Sequence, residues 1–337
     1  MQSAVRTTEP PTDLLSLIGH TPLIALRRLC DRDDIELYAK IESANPSGSA
    51  KMRSAYAMVQ AEAAAGRLRP GTVLVESSSG NLGVALAHLA ILNDLRAHVV
   101  VDERTNPAVI STIRALGAEV EVVSDEPGRD MLTARLERVR EIVEQTPGAV
   151  NLNQYANMAA IEAHRDGTMA EIADALDNDV SHVFVATSTT GTIGGCQALI
   201  RQRNLSTTLI AVDALGSVLF DGKAGPRKLG GHGAGVVPAL ASHVQPDEVA
   251  RASDLEAVIG ARALARREAI LAGASAGAVT YACLTRVNDL PPGSRVALIL
   301  HDAGGPYLHT VYNDDWVAST LGVDADEVAR RVDSLGR

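Results

Sequence analysis

The sequence predicts an α/β protein built as two three-layer domains with mostly parallel sheets. Three observations carry that expectation. Short β-branched runs alternate with longer segments rich in Ala, Leu, Arg and Glu, which is the pattern of βαβ units. Gly, Pro and Ser gather where those runs give way to helical segments. The length, 337 residues, suits two domains at roughly 100–200 residues each and buries a real core.

Taken in order, the strand candidates are 36–41, 72–75, 97–101, 119–123, 182–186, 208–212 and 295–300. The helical candidates between them are 54–65, 83–92, 107–116, 131–144, 193–203 and 254–266. Continuous apolar runs such as 97–101 suit strands covered on both faces. The junction segments 77–83, 187–195, 222–235 and 273–277 carry the turn residues. In open α/β folds such carboxyl-end turns build the ligand crevice, so several of them converge on one site. No repeat of fixed period and no low-complexity linker interrupts the pattern.

Composition excludes several function classes. Acidic residues outnumber basic ones by 41 to 31, giving a formal charge of −10. That disfavours a nucleic-acid surface or an anionic membrane as partner, while leaving room for a local basic pocket. Nine aromatic residues, from one Trp, six Tyr and two Phe, are too few for base-stacking platforms. Cys30, Cys196 and Cys283 show no paired spacing and fit small buried residues in a reducing cytosol better than a disulfide framework or a metal site. The N-terminal segment lacks a signal-type apolar core, and no run of about 18 apolar residues is present. The expectation is a cytoplasmic protein with no resident metal. Only four lysines occur, Lys40, Lys51, Lys223 and Lys228, so chemistry that needs an amine has four candidates.

Four constellations carry possible chemistry. Asn45-Pro46-Ser47-Gly48-Ser49-Ala50-Lys51 leads a turn into a helix that Ser47 or Ser49 can cap. A lysine in that first turn opposes the helix dipole, and the same field with partial burial lowers its amine pKa; a plain surface lysine is the bland alternative. Glu76-Ser77-Ser78-Ser79-Gly80-Asn81-Leu82-Gly83 places hydroxyls, an amide and free helix-start N–H groups where a carboxylate would sit, or else is a well-capped helix. Ser188-Thr189-Thr190-Gly191-Thr192 suits a phosphate monoester at a helix N-terminus, although it is neither a P-loop nor a dinucleotide turn. Gly273-Ala274-Ser275-Ala276-Gly277 matches the G-x-S-x-G nucleophile elbow, with Asp289 and His301 or His309 downstream. Its bland reading is a small-residue turn that lets helices pack closely.

Together these list what pyridoxal 5′-phosphate (PLP) needs: an imine lysine, a carboxylate cradle, a phosphate cup and a partner for the ring nitrogen. Their order and wording resemble the cysteine synthase group of fold-type II PLP enzymes, the tryptophan synthase β-like fold. The resemblance runs from Leu17-Ile18-Gly19-His20-Thr21-Pro22-Leu23 to Tyr307-Leu308. Several stretches resemble one branch of the group, the N-(2-amino-2-carboxyethyl)-L-glutamate synthases of 2,3-diaminopropionate formation for siderophores and peptide antibiotics. They are 78–87, Leu152-Asn153-Gln154-Tyr155-Ala156-Asn157, Ser188-Thr189-Thr190-Gly191, 211–218 and Val311-Tyr312-Asn313-Asp314. That branch joins O-phospho-L-serine to the amine of L-glutamate.

The resemblance implies the following roles. Lys51 holds PLP and then takes the substrate's Cα proton. Asn81 bonds the ring hydroxyl. Ser78, Ser79, the Leu82 backbone and Gln154 hold the substrate carboxylate. Thr189, Thr190, Gly191 and Thr192 wrap the phosphate with Ser188 at the edge, and Ser275 faces the pyridine nitrogen. Arg135, Tyr155 and Ser188 help select the substrate. A serine hydroxyl at the ring nitrogen leaves that atom unprotonated, which favours prompt loss of the β-substituent. The resemblance further implies a homodimer, a larger PLP-binding domain from 12–48 plus 151–320, a smaller closing domain from 49–150, and terminal extensions 1–11 and 321–337.

Three positions depart from the group's pattern. Met52 replaces an aspartate beside Lys51, His232 replaces an isoleucine in Gly231-His232-Gly233-Ala234, and His301-Asp302-Ala303-Gly304-Gly305-Pro306-Tyr307 lacks the usual arginine and starts on His instead of Pro. Met52 is expected to alter packing or the lysine pKa, and His232 either brings a titratable group near the site or, most simply, is an exposed loop residue. Alternatives to the amine-using enzyme are a cysteine synthase with sulfide as nucleophile, a Ser275 hydrolase, and a non-catalytic relative that binds PLP without turnover.

Overall fold

The computed structural model describes residues 12–78, 80–103, 105–124 and 131–337. In chain order its principal elements are β1 (Leu23–Ala25), β2 (Glu36–Ile41), α1 (Lys51–Ala64), β3 (Val73–Ser77), α2 (Asn81–Leu92), β4 (Arg96–Asp102), α3 (Pro107–Ala115), β5 (Glu119–Val123) and α4 (Met131–Gln145). There follow α5 (Ala159–Ala163), a π-helical turn (His164–Met169), α6 (Ala170–Ala175), β6 (His182–Ala186), α7 (Gly191–Arg203), β7 (Thr208–Ala214) and β8 (Glu248–Ala252). The chain ends with α8 (Asp254–Glu268), α9 (Ala274–Leu284), β9 (Arg295–Leu300), α10 (Asp314–Leu321) and α11 (Ala325–Ser334).

Two sheets organise these elements. The larger has the order β1-β2-β9-β6-β7-β8 and is parallel except for the antiparallel edge strand β1. The smaller is β3-β4-β5, all parallel, and Val150 pairs with Leu74 beside β3.

The period-2 geometry of a strand explains the layers. Along β6, Phe184 and Ala186 enter a core shared with α8 and α9, while Val183 and Val185 enter another shared with α6 and α7. Along β4, Val99 and Val101 pack with α2 and α3, and Val100 packs toward α4. Both sheets are therefore covered on two faces, as parallel sheets require.

The structure adds elements that local pattern did not mark. Strand β1 has only three residues, β8 carries Glu248 and Arg251 among its apolar positions, helix α9 was expected only as a turn, and α11 carries Val328 and Val332 into the larger core. Helix α9 lies directly on α8. A Cβ on Gly277 would sit 2.0 Å from the Ala257 carbonyl oxygen, and one on Gly260 would sit 2.0 Å from the Gly277 carbonyl oxygen. Glycine at both positions allows the two backbones to touch, and that contact fixes where the first turn of α9 presents Ser275. No helix among the described residues is long and apolar enough to cross a membrane.

Candidate active site

The amino ends of α1, α2, α7 and α9 and the turns leading into them supply Lys51, Ser78, Asn81, Leu82, residues 188–192 and Ser275, while Arg135 lies on α4 and Gln154 and Tyr155 in the segment after it. Lys51 opens α1. Its backbone neighbour Ala50 donates to the His301 carbonyl at 2.8 Å, and Ser49 bridges Asp302, so the start of α1 is tied to the end of β9. Neither Ser47 nor Ser49 caps the helix; both hydroxyls lack hydrogen-bond partners, and Ala50 holds the cap position in helical geometry. The expected serine cap is therefore corrected: the Ser49–Asp302 bridge directs the turn toward β9.

Lys51 Nζ donates to Thr189 Oγ1 at 3.3 Å, which joins the amine to the hydroxyl-rich loop after β6. Burial pushes the Lys51 amine down to about 8, against the opposing pull of the Glu76 carboxyl. Glu76 is itself buried and is pushed up to about 7 by desolvation, although the Ser77 and Gln154 N–H groups donate to it at 2.9 and 3.3 Å. Sequence reading quoted Glu76 only as the start of a motif. A carboxyl ending the apolar run Val73-Leu74-Val75 was the signal that could have singled it out.

The loop 188–192 turns into α7. Thr190 adopts φ +65°, a left-handed conformation rare for a β-branched residue, and its Oγ1 has no hydrogen-bond partner. Such strain costs about 1–3 kcal/mol and collects at ligand sites. With Gly191 opening a 13-residue helix, the loop presents hydroxyls and helix-start N–H groups to an anion. Thr192 Oγ1 instead meets His164 Nε2 at 3.2 Å, and His164 also meets Ser54 Oγ at 3.0 Å and Thr168 Oγ1 at 2.9 Å. Burial and the Arg53 and Lys51 charges hold His164 well below its ordinary pKa, so it is a neutral brace between α1, the π-helical turn and α7. No sequence signal pointed to it.

On the opposite side, Ser78 Oγ accepts from the Gly80 and Gly83 N–H groups at 3.2 and 3.0 Å, shaping the turn into α2. The Leu82 side chain is buried in the core, leaving its helix-start N–H as its functional group. Gln154 Nε2 donates to the Ser77 carbonyl at 2.8 Å. Ser79 lies outside the described residues. Asn81 Nδ2 donates to Asp302 Oδ2 at 2.8 Å, joining the two sheets across the cleft. Ser275 Oγ, fully buried in the first turn of α9, has no hydrogen-bond partner.

Arg135, on α4, is buried and places Nε 3.4 Å from Asp102 Oδ2. Its charge acts on Tyr155, whose phenol is pushed up mainly by burial. The Glu76 carboxyl acts on the same phenol in the opposite sense to Arg135.

His232 is 2% exposed, not a surface residue as expected. The loop carrying it runs between the site's two ends: Gly233 N–H donates to the Thr187 carbonyl, and Gly231 Cα faces Ser275. Burial holds His232 down to about 4 and, with Lys51, holds His301 down to about 3. Met52 is fully buried among Leu74, Leu82 and Leu86, which gives its departure a packing reason. The elbow reading of 273–277 fails locally, because Ala272 forms only an isolated bridge where a nucleophile elbow needs a strand.

The site's polar atoms fit PLP: a Lys51 amine held only by the Thr189 hydroxyl, an unpartnered hydroxyl at Thr190 beside a helix N-terminus, and an unpartnered hydroxyl at Ser275. Comparison with known proteins agrees. The family described as pyridoxal-phosphate dependent enzyme matches residues 14–302. The chain is 40% identical over 306 residues to an N-(2-amino-2-carboxyethyl)-L-glutamate synthase of Ralstonia nicotianae (strain ATCC BAA-1114 / GMI1000), covering 90% of each chain. It is 39% identical over 310 residues to the protein of that name from Cupriavidus metallidurans, covering 90% of this chain and 91% of the relative. Among solved structures, the O-acetylserine dependent cystathionine β-synthase from Helicobacter pylori superposes with a TM-score of 0.84 at 28% identity, over 90% of this chain and 100% of that one. O-ureido-L-serine synthase superposes with a TM-score of 0.84 at 27% identity, over 96% and 99%. This chain belongs to the pyridoxal-phosphate-dependent enzyme family, with the fold-type II architecture.

Proposed function

We propose that this enzyme replaces the phosphate of O-phospho-L-serine with the amine of L-glutamate, giving N-(2-amino-2-carboxyethyl)-L-glutamate. The observation that carries this reading is a buried Arg135 whose charge acts on the Tyr155 phenol, in a chain about 40% identical to synthases of that name.

When bound, PLP supplies an electron sink that acidifies the substrate's Cα–H and lets the β-substituent leave. Lys51 Nζ carries the cofactor at rest, then takes the Cα proton and later returns it; an amine held near pH 8 does both at neutral pH. Ser78, Ser79, the Leu82 N–H and Gln154 hold the substrate carboxylate. Thr189, Thr190, Gly191 and Thr192, with Ser188, hold the cofactor phosphate. Asn81 and Ser275 grip the ring at its hydroxyl and nitrogen. Arg135 stabilises the charge that grows on the departing phosphate, with Tyr155 and Ser188 shaping the donor pocket. The part from 49–150 closes over the substrate and excludes water. We further propose a cytoplasmic homodimer serving siderophore or peptide-antibiotic synthesis, on the strength of the resemblance to the diaminopropionate branch.

The test is a screen of donors and nucleophiles with products read by mass spectrometry. O-phosphoserine with glutamate should give the fastest turnover. Faster turnover with sulfide would replace this reading with that of a cysteine synthase.

A further inference from the structure

Two buried polar groups stand open where β4 ends. Arg135 is 7% exposed, yet its Nε and Nη1 have no hydrogen-bond partner, and Nε only faces Asp102 Oδ2 at 3.4 Å. Thr105 is 4% exposed, and its hydroxyl has no partner among the described residues. Asp102, the last residue of β4, links the two. Its carboxylate faces the Arg135 guanidinium, and its carbonyl accepts the Thr105 N–H at 3.0 Å.

The cleft borders this end of β4 on two sides. In the substrate-carboxylate turn, the Ser78 N–H donates to the Val100 carbonyl at 3.0 Å, two residues before Asp102. Asn106, the residue after Thr105, sends its Nδ2 to the Pro306 carbonyl at 2.5 Å. That carbonyl belongs to the loop whose Asp302 takes the Asn81 amide. The backbone of Thr105 is thus pinned between the carboxylate turn and the opposite wall.

A buried donor without an acceptor is costly, and folded proteins seldom keep one. The contrast with Arg53 is direct: Glu42 and Glu171 fill that guanidinium with close hydrogen bonds. The open donors of Arg135, beside an open hydroxyl, suit an anion that offers several oxygens, as a phosphate monoester does and a neutral acetyl ester does not. The Asp102 carboxylate offsets the Arg135 charge while no anion is bound. Resting on the reading of O-phospho-L-serine as donor, we propose that Thr105 is a second contact to the donor's phosphate. Its hydroxyl donates to a phosphate oxygen beside Arg135 and sets the preference for phosphate over acetate as the group that leaves.

The experiment uses the PLP-loaded enzyme and Thr105→Val, which keeps the shape and removes the hydroxyl. With glutamate as nucleophile, kcat/KM for O-phosphoserine should fall about tenfold, as for one lost hydrogen bond to a charged group, while that for O-acetylserine changes little. Thr105→Ser should restore most of the loss. In an Arg135→Gln background Thr105→Val should cost much less, because both groups hold one phosphate; full additivity overturns the inference. A second measurement needs no turnover. Inorganic phosphate should raise the melting temperature of the unaltered enzyme, and Thr105→Val should need about tenfold more phosphate for the same rise. Without phosphate, the variant should melt no lower, since the hydroxyl has no partner inside the protein. A lower melting temperature there, or equal losses with both donors, would make Thr105 a structural residue. If Thr105→Val uses O-phosphoserine at the full rate, this inference alone falls; if the unaltered enzyme does not use O-phosphoserine, the donor reading falls with it.

Discussion

Helix α1 presents two cations two residues apart, about 200° around the helix from each other, and the molecule treats them oppositely. On one face, Lys51 reaches only a hydroxyl, Thr189 Oγ1, and its pKa falls. On the other, Arg53 is enclosed by carboxylates. Its Nε donates to Glu42 Oε2 and its Nη1 to Glu171 Oε1, both at 2.7 Å, while its Nη2 reaches both acids and Thr21. Lys40 completes that network through Glu171 and the Thr21 carbonyl. Burial is severe on both faces, so pairing decides the outcome. A paired buried cation keeps its charge and fixes β2, α1 and α6 together. An unpaired one keeps a loosely held proton and remains available for chemistry.

The sharpest way to break the contrast is to remove each cation. Lys51→Ala should lower turnover by at least about 10²–10⁴-fold, the range for a positioned acid–base group, and abolish borohydride-fixed cofactor, with the melting temperature little changed. Label on Lys40, Lys223 or Lys228 in the unaltered protein would undo the assignment. Arg53→Met should do the reverse. It leaves Glu42 and Glu171 buried without their partner and costs about 3–5 kcal/mol in urea unfolding.

The pH dependence of stability separates the faces more finely. Arg53 and Lys40 hold Glu171 down to about 2, from an ordinary value of 4.5. Its folded pKa lies below its unfolded one, so its contribution is complete above about pH 4.5 and fades as pH falls toward 2. Glu171→Gln should remove roughly 2 kcal/mol of that slope; an unchanged acid limb would show the pairing to be idle.

Arg135 tests the open face at its rim. Arg135→Ala should weaken use of O-phosphoserine by about 10–100-fold, as expected for a lost bond to a charged group, and weaken use of O-acetylserine far less. Equal losses for both donors would remove its role. The smallest effect is expected at His232, whose two ring nitrogens are buried without partners. His232→Ile should raise apoprotein stability by about 1 kcal/mol by removing that cost, read as a modest rise in melting temperature.

Much of this was legible locally. Alternating β-branched and helix-forming runs give the α/β layering because strand and helix periods are written along the chain. Lys51, the 78–82 turn and the 188–192 loop were legible because a helix start needs particular residues at particular spacings. Strand β1 escaped because it is only three residues long, and β8 because Glu248 and Arg251 leave it a single β-branched residue. The serine cap was misread because hydroxyls in a turn look alike whether they bond the helix or face a ligand.

The sequence alone determined the class of the fold and the lysine proposed to carry the chemistry, since both depend on near-neighbour pattern. Only the tertiary structure decided which charges are paired, that His232 is inside, and that Asp302 joins Asn81 to Tyr307. The Asn81–Asp302 bond spans 221 residues of sequence. Burial and long-range pairing arise where distant segments meet, and no local spacing encodes which polar groups will be left without water.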